Sequence, residues 1–208
     1  MRERPARGRR RGAGVRGRPV PYTAPVTVRS PAPVLVMLVG APGTGKSTLA
    51  RRLARQLDAE IVESDRVRKQ LFAEPRYTGG EHAAVFGWCH TVIRSSLVVG
   101  KSVLFDATNL DERGRRRVYE IVDQCRARLV IVWASCSPRV VQDRMLRRHE
   151  GHDEHDVSDA DWRVHLELAR RAEPIRRPHV VVNTGVDPDQ ITRRIVERVR
   201  VADAVART

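Results

Sequence analysis

The chain has 208 residues, 41% of them apolar, and a formal net charge of +14. This length favours one domain with a sizeable core, and an aromatic share of only 4% favours a core of Val, Leu, Ile and Ala around a parallel sheet. The three cysteines lack C-x-x-C spacing, and no apolar run approaches the roughly 18 residues of a membrane span, so the sequence argues against a disulfide framework and a membrane protein. We expect a cytoplasmic protein with reduced thiols.

The first 33 residues form a distinct segment rich in arginine, glycine and proline. Residues 1–30 hold nine arginines and one glutamate. Such a segment has too little apolar surface to offset the entropy of ordering, so we expect a disordered tail at 1–33. The tail could contact nucleic acid, or it could be a solvated tail or translated sequence upstream of the true start. The folded domain is expected at 34–208.

From residue 34 onward, apolar runs alternate with segments of helical periodicity. Strands are predicted at 34–39, 60–64, 102–106, 128–135 and 179–183, and helices at 46–57, 66–73, 81–99, 111–126, 138–149, 158–172 and 187–202. This alternation predicts an α/β protein, with a doubly wound, mainly parallel five-stranded sheet and helices on both faces.

The first predicted strand runs directly into a G-x-x-x-x-G-K-[ST] motif that spans residues 40–48. In such a motif glycines let backbone N–H groups turn around a phosphate, the lysine reaches the β and γ oxygens, and the hydroxyl holds Mg²⁺. The following helix favours an anion at its N-terminus. The motif therefore predicts the P-loop NTPase fold with ATP and Mg²⁺ as cofactors, Ser47 as a metal ligand, and nucleotide contacts from Gly40, Gly43, Thr44, Gly45, Lys46, Ser47 and Thr48.

The second strand is followed by Asp65 and, one helical turn later, by Arg68. Ligands of open α/β sheets bind at the carboxyl ends of the strands, so both residues are candidate substrate ligands. Asp65 could accept a proton from a substrate hydroxyl, while Arg68 could hold a polar or anionic acceptor. Alternatively, Asp65 could be the N-cap of the next helix.

The third strand ends in Asp106 and continues as Ala107-Thr108-Asn109-Leu110, a Walker-B-like element. We expect the carboxylate of Asp106 near Mg²⁺, directly or through water. Thr108 and Asn109 are predicted to point into the cleft as substrate-binding residues.

After the fourth strand, a predicted helix carries Arg144 and Arg148 four residues apart, on one face. The polar segment that follows suggests a mobile lid at about 138–160, which would bring guanidinium groups onto the transferring phosphate and exclude water. A purely solvated helix face is the alternative for these arginines. Histidines at 149, 152 and 155 lack a recognised metal-ligand geometry.

These motifs together resemble the kinase domain of phage-type polynucleotide 5′-hydroxyl kinases and related bacterial P-loop kinases, many of them known only as AAA-type ATP-binding proteins of undefined substrate. The resemblance covers roughly residues 34–175. It implies that Asp65 is the general base, that Arg68 is an acceptor-side ligand, and that Arg144 and Arg148 are lid arginines. Asp106-Ala-Thr-Asn replaces the Asp-Thr-Asn of the phage type.

The sequence thus favours an ATP-dependent phosphotransferase that moves the γ-phosphate to a hydroxyl acceptor, with Lys46, Asp65, Arg144 and Arg148 as catalytic residues. The acceptor could be a small molecule or a polynucleotide 5′-OH. Two other classes stay open: an NTP-hydrolysing switch ATPase, and a nucleic-acid-binding module with a vestigial nucleotide site. The switch ATPase is disfavoured because the sequence has no Asn-Lys-x-Asp motif and the third strand lacks an acidic pair at its end.

Overall fold

The computed structural model describes residues 32–149 and 160–205, with side chains for all of them except 148, 149 and 201–205. The predicted tail up to residue 31 and the part of the predicted lid at 150–159 lie outside the described residues. The strands are Val34–Val39 (β1), Glu60–Glu63 (β2), Val103–Asp106 (β3), Arg128–Ser135 (β4) and Val180–Asn183 (β5). They form one sheet in the order β2-β3-β1-β4-β5, and every neighbouring pair is parallel. The predicted α/β fold class is confirmed.

Helices alternate with the strands, as the sequence predicts. They are Lys46–Leu57 (α1), Ser64–Leu71 (α2), Gly79–Val98 (α3), Glu112–Gln124 (α4), Pro138–His149 (α5), Trp162–Arg170 (α6) and Pro188–Val205 (α7). The second helix begins two residues earlier than predicted, because Ser64 and Asp65 belong to its first turn. None of the helices in the described residues could span a membrane.

The central strand β1 is buried along its whole length and divides the core into two layers. Leu35 and Met37 belong to the layer beneath α3 and α4, together with Phe105. Val36 and Leu38 belong to the opposite layer, beneath α1 and α7. This separation follows from the two-residue period of a strand, and it explains why β1 is a continuous apolar run.

The sheet topology fixes the place of the site. The chain leaves β1 for β2 on one side, crossing over β3, and later returns to place β4 on the other side of β1. Ligands of open parallel sheets bind at the carboxyl edge where the strand order reverses in this way. The P-loop follows β1 at this edge, and Gly40 N donates to Thr108 O at 3.0 Å, which fastens it to the loop after β3.

Candidate functional site

A cleft of about 770 Å³ opens at the carboxyl edge of the sheet. It is lined by the P-loop and the start of α1, by the ends of β2 and β3, by the arginines of α5, and by the β5–α7 turn. The lining residues used below are Gly43, Gly45, Lys46, Ser47, Thr48, Glu63, Asp65, Asp106, Thr108, Arg144, Arg147 and Thr184. Most of the predicted site residues are therefore brought together.

The P-loop needs glycine at Gly43 and Gly45, whose φ angles are 79° and 82°. Residues that carry a side chain rarely adopt these backbone angles. In addition, a Cβ at Gly45 would lie 2.9 Å from Nη1 of Arg144. Lys46 is buried and its Nζ donates to Ala41 O at 3.0 Å, so the loop itself holds the ammonium group at the cleft.

Gly40 and Thr44, which were also predicted to contact the nucleotide, line a smaller cavity on another side of the loop. A Cβ at Gly40 would lie 2.5 Å from Ala134 O, so close packing against β4 requires glycine there. The hydroxyl of Thr44 donates to Ala41 O at 2.8 Å and closes the loop on itself. The structure thus shows these two residues shaping the P-loop, and their nucleotide contacts stay a prediction.

Asp106 lies at the end of β3 with only 4% of its surface exposed. Burial raises the pKa of its carboxyl group, whereas the Lys46 ammonium and a hydrogen bond from Ser47 lower it. Its Oδ2 has no hydrogen-bond partner among the described residues. A buried carboxylate with one unused oxygen beside a serine hydroxyl is a hard-oxygen donor set that suits Mg²⁺. The three histidines that the sequence analysis considered as metal ligands, at 149, 152 and 155, have side chains outside those that the structure describes.

Glu63 is a site residue that the sequence analysis missed. It is the last residue of β2, pairs in register with Asp106 and lines the cleft. Burial raises the pKa of Glu63 to about 7, and the neighbouring Asp106 carboxylate adds to this effect. Nε of Arg66 lies 3.6 Å from Glu63 Oε2 and acts in the opposite direction. Its place at the carboxyl end of a predicted strand was the signal that could have identified it.

Asp65 lies in the first turn of α2 and lines the cleft, half-buried. The alternative that Asp65 is an N-cap is wrong, because the N-cap position is held by Glu63, which makes no side-chain capping bond. Asp65 thus does not cap α2, and it belongs to the lining of the cleft.

Two predicted substrate ligands do not line the cleft. Arg68 is 6% exposed, with its guanidinium 3.7 Å from Glu81 and 4.8 Å from the ring centroid of Tyr77. Asn109 was expected to point into the cleft and does not: it is buried, and its Nδ2 donates to Leu38 O at 2.7 Å. The amide is directed there because it satisfies a carbonyl near the end of β1. Thr108 does line the cleft.

Arg144 lies on α5 and is fixed to the β5–α7 turn. Its Nη2 donates to Thr184 O at 2.7 Å and its Nη1 to Thr184 Oγ1 at 3.2 Å. The Thr184 hydroxyl in turn donates to Thr44 O of the P-loop at 2.6 Å. A purely solvated face is therefore wrong for Arg144. The exposed Arg147 also lines the cleft, while the side chain of Arg148 lies outside those described.

The sequence of the chain matches the model of the family AAA_33, an AAA domain, over residues 35–175. It is also 30% identical over 149 residues to an uncharacterized protein of Mycobacterium tuberculosis. That match covers 66% of this chain and 29% of the relative, so the chain spans less than a third of the curated relatives it matches first.

Solved structures with the same fold include kinases. A putative kinase from Chloroflexus aurantiacus aligns with a TM-score of 0.63 at 20% identity, over 82% of this chain and 97% of the other. The APS kinase CysC of Mycobacterium tuberculosis, solved with AMPPNP and APS, aligns with a TM-score of 0.62 at 16% identity, over 82% of this chain and 99% of the other. A chain of the Pnkp1/Rnl/Hen1 RNA repair complex aligns with a TM-score of 0.57 at 21% identity, over 70% of this chain and 45% of the other. The chain therefore belongs to the AAA domain family AAA_33 and has the fold of the P-loop kinases.

Proposed function

We propose that this protein is an ATP-dependent phosphotransferase that moves the γ-phosphate of ATP to a hydroxyl acceptor. The observation that carries the proposal is the division of one cleft into two chemically different parts. The P-loop, Lys46 and the Ser47–Asp106 pair lie on one side, where a nucleotide would bind. Asp65, a carboxylate on another element, faces the same space. A binding module would need the first part alone.

The phosphates of ATP would bind at the N-terminus of α1, where the backbone N–H groups of the first turn and the helix dipole attract anions. The Lys46 ammonium would neutralise charge on the β and γ oxygens. Ser47 and Asp106 would hold Mg²⁺, which supplies further neutralisation of the phosphate charge when bound.

Asp65 would act on the acceptor. In the transfer step the acceptor oxygen forms a bond to the γ-phosphorus, the bond from that phosphorus to the β–γ bridging oxygen breaks, and ADP leaves. The acceptor hydroxyl loses its proton, and a positioned carboxylate such as Asp65 can take it. Thr108 lines the same cleft and would contact the acceptor, while Arg144 and Arg147 border the phosphate side.

The acceptor is proposed only as a class, an alcohol of a small molecule or the 5′-OH of a polynucleotide. The similar folds do not choose between the two acceptors, since one is an APS kinase solved with APS and another is a chain of an RNA repair complex. The nearly complete burial of Arg68 means that it would need a rearrangement of Tyr77 or Glu81 before it could reach an acceptor.

The test is an assay of γ-labelled ATP with pooled acceptors, one pool of small alcohols and one of 5′-OH oligonucleotides, separated by thin-layer chromatography. Transfer of label to an acceptor, lost in Lys46→Ala, is the expected result. Release of free phosphate that no acceptor changes would instead indicate an NTP-hydrolysing ATPase. Binding of ATP without either product would leave a nucleotide-binding module.

A further inference from the structure

A histidine that no motif predicts holds the P-loop from the side of α6. His165 is 8% exposed, and its Nδ1 lies 2.7 Å from Pro42 O. Its ring lies parallel to that of Trp162, with an interplanar angle of 9° and ring centroids 5.0 Å apart. A carbonyl oxygen can only accept a hydrogen bond, so Nδ1 of His165 carries the proton and donates.

The contact controls the peptide unit between Pro42 and Gly43. In a trans peptide the C=O and N–H bonds point to opposite sides, so holding Pro42 O toward α6 turns the N–H of Gly43 away from α6. Gly43 has φ 79° and lines the cleft. Because glycine has no Cβ, little intrinsic resistance keeps this peptide from rotating.

The helix that carries His165 is capped at its start and is tied to the loop after β3 just beyond its end. At its start, Asp161 is the N-cap and its Oδ1 accepts from Val164 N at 2.9 Å. Just beyond its end, Glu173 N donates to Leu110 O at 2.9 Å in the loop after β3. The donor at His165 therefore belongs to a regular helix whose C-terminal side is joined to the sheet edge that carries the site.

We propose that His165 is a positioning residue for nucleotide binding: its Nδ1–H holds the Pro42 carbonyl and thereby presents the Gly43 N–H to the phosphates of a bound nucleotide. The proposal rests on the proposed function in one respect, since it takes nucleotide phosphates as the ligand of the P-loop. Loss of the donor leaves the Pro42 carbonyl without this partner and frees the peptide to rotate. The cost then falls on nucleotide affinity.

Two variants separate the donor from the ring. His165→Phe keeps a planar ring beside Trp162 but has no donor, whereas His165→Asn places an amide N–H close to the position of Nδ1. A matched control is His179→Phe, because the exposed His179 has its Nδ1 3.0 Å from a backbone carbonyl, that of Arg177, and does not line the cleft. ADP affinity is measured by calorimetry, and the unfolding midpoint of each nucleotide-free variant is measured beside it.

We expect His165→Phe to weaken ADP binding by about 5- to 20-fold, the cost of one unsatisfied buried polar group. His165→Asn should stay within about threefold of the wild type, and His179→Phe should bind normally. Equal losses in both His165 variants, or no loss in either, would overturn the proposal.

A second measurement does not depend on nucleotide. Long-range ¹H–¹⁵N spectra of the wild-type protein should show a protonated Nδ1 at His165, and a bare Nδ1 with the proton on Nε2 would overturn the proposal even if the Phe variant failed to fold. A wild-type protein that bound no nucleotide would instead remove the proposed function, while the spectra still decided the contact with Pro42.

Discussion

Glu63 and Asp106 are register partners on the adjacent parallel strands β2 and β3, and both line the cleft at the carboxyl edge of the sheet. Burial makes the charged form of both carboxylates costly, and the repulsion of Asp106 adds to this cost at Glu63. A metal ion or a cationic group bound nearby would relieve this repulsion. The nucleotide-free protein therefore carries a local electrostatic strain that its site can release on binding.

This strain makes the stability of the nucleotide-free protein depend on pH. The pKa of Glu63 is raised in the fold from the ordinary 4.5 to about 7, so the folded state holds a proton that the unfolded chain has lost. Stability should fall as pH rises between these two values, and the full penalty is present above pH 7. Glu63→Gln should raise the free energy of unfolding by about 1–3 kcal/mol at pH 8 and by little at pH 4.5, in urea denaturation without metal. A gain independent of pH would contradict the electrostatic cause.

Asp65→Asn keeps the shape of the side chain and removes the proton acceptor. Transfer to the acceptor should fall by roughly 10²–10⁴, with ATP affinity unchanged, because general-base catalysis contributes on this scale. Steady-state kinetics with the identified acceptor measures the change. The control is Asp143→Asn, the same change of carboxylate to amide at an exposed aspartate of α5. Near-normal transfer by Asp65→Asn would exclude Asp65 as the base.

Arg144→Ala removes the donors that join α5 to the β5–α7 turn. Because Thr184 O then loses its charged partner, the free energy of unfolding should fall by about 1–2 kcal/mol. The exposed Arg147, three residues along the same helix, is the comparison, and Arg147→Ala should change stability by no more than about 0.5 kcal/mol. Equal effects in chemical denaturation would show that the bonds to Thr184 contribute nothing to stability.

Removing residues 1–30 should leave folding and ATP affinity intact, because the P-loop and every core residue among those that the structure describes lie after residue 33. If the arginines of the tail bind single-stranded nucleic acid, each lost phosphate contact should reduce the slope of log affinity against log salt by about 0.7. A slope that truncation does not change would exclude the tail from nucleic-acid binding.

The sheet and the P-loop were predictable because their signals are local. β1 is a continuous apolar run and β4 is apolar between its terminal residues Arg128 and Ser135, and the bounds of both match the predicted ones. The glycines of the P-loop motif predict the turn that follows β1. Asp65 and Asp106 could be placed near this loop because the carboxyl ends of parallel strands share one edge.

Other features depend on contacts between distant segments, and no sequence pattern reveals them. Asn109 turns away from the cleft because Leu38, 71 residues earlier, offers it a buried carbonyl. Arg144 is fixed by a threonine 40 residues later. His165 contacts a carbonyl 123 residues before it. In each case a polar atom elsewhere in the chain decided where the side chain points.

One fully buried guanidinium also limits how the site could be altered. Arg115 on α4 is inaccessible to solvent; its Nη1 donates to the carbonyls of Asn109 and Leu110 and its Nη2 to those of Glu173 and Pro174. The loop after β3 and the segment after α6 are therefore one mechanical unit, although more than 60 residues separate Asn109 from Glu173 in the chain. A loop transplanted into 107–111 from a protein of the same fold would have to bring a matching 173–174 segment with it.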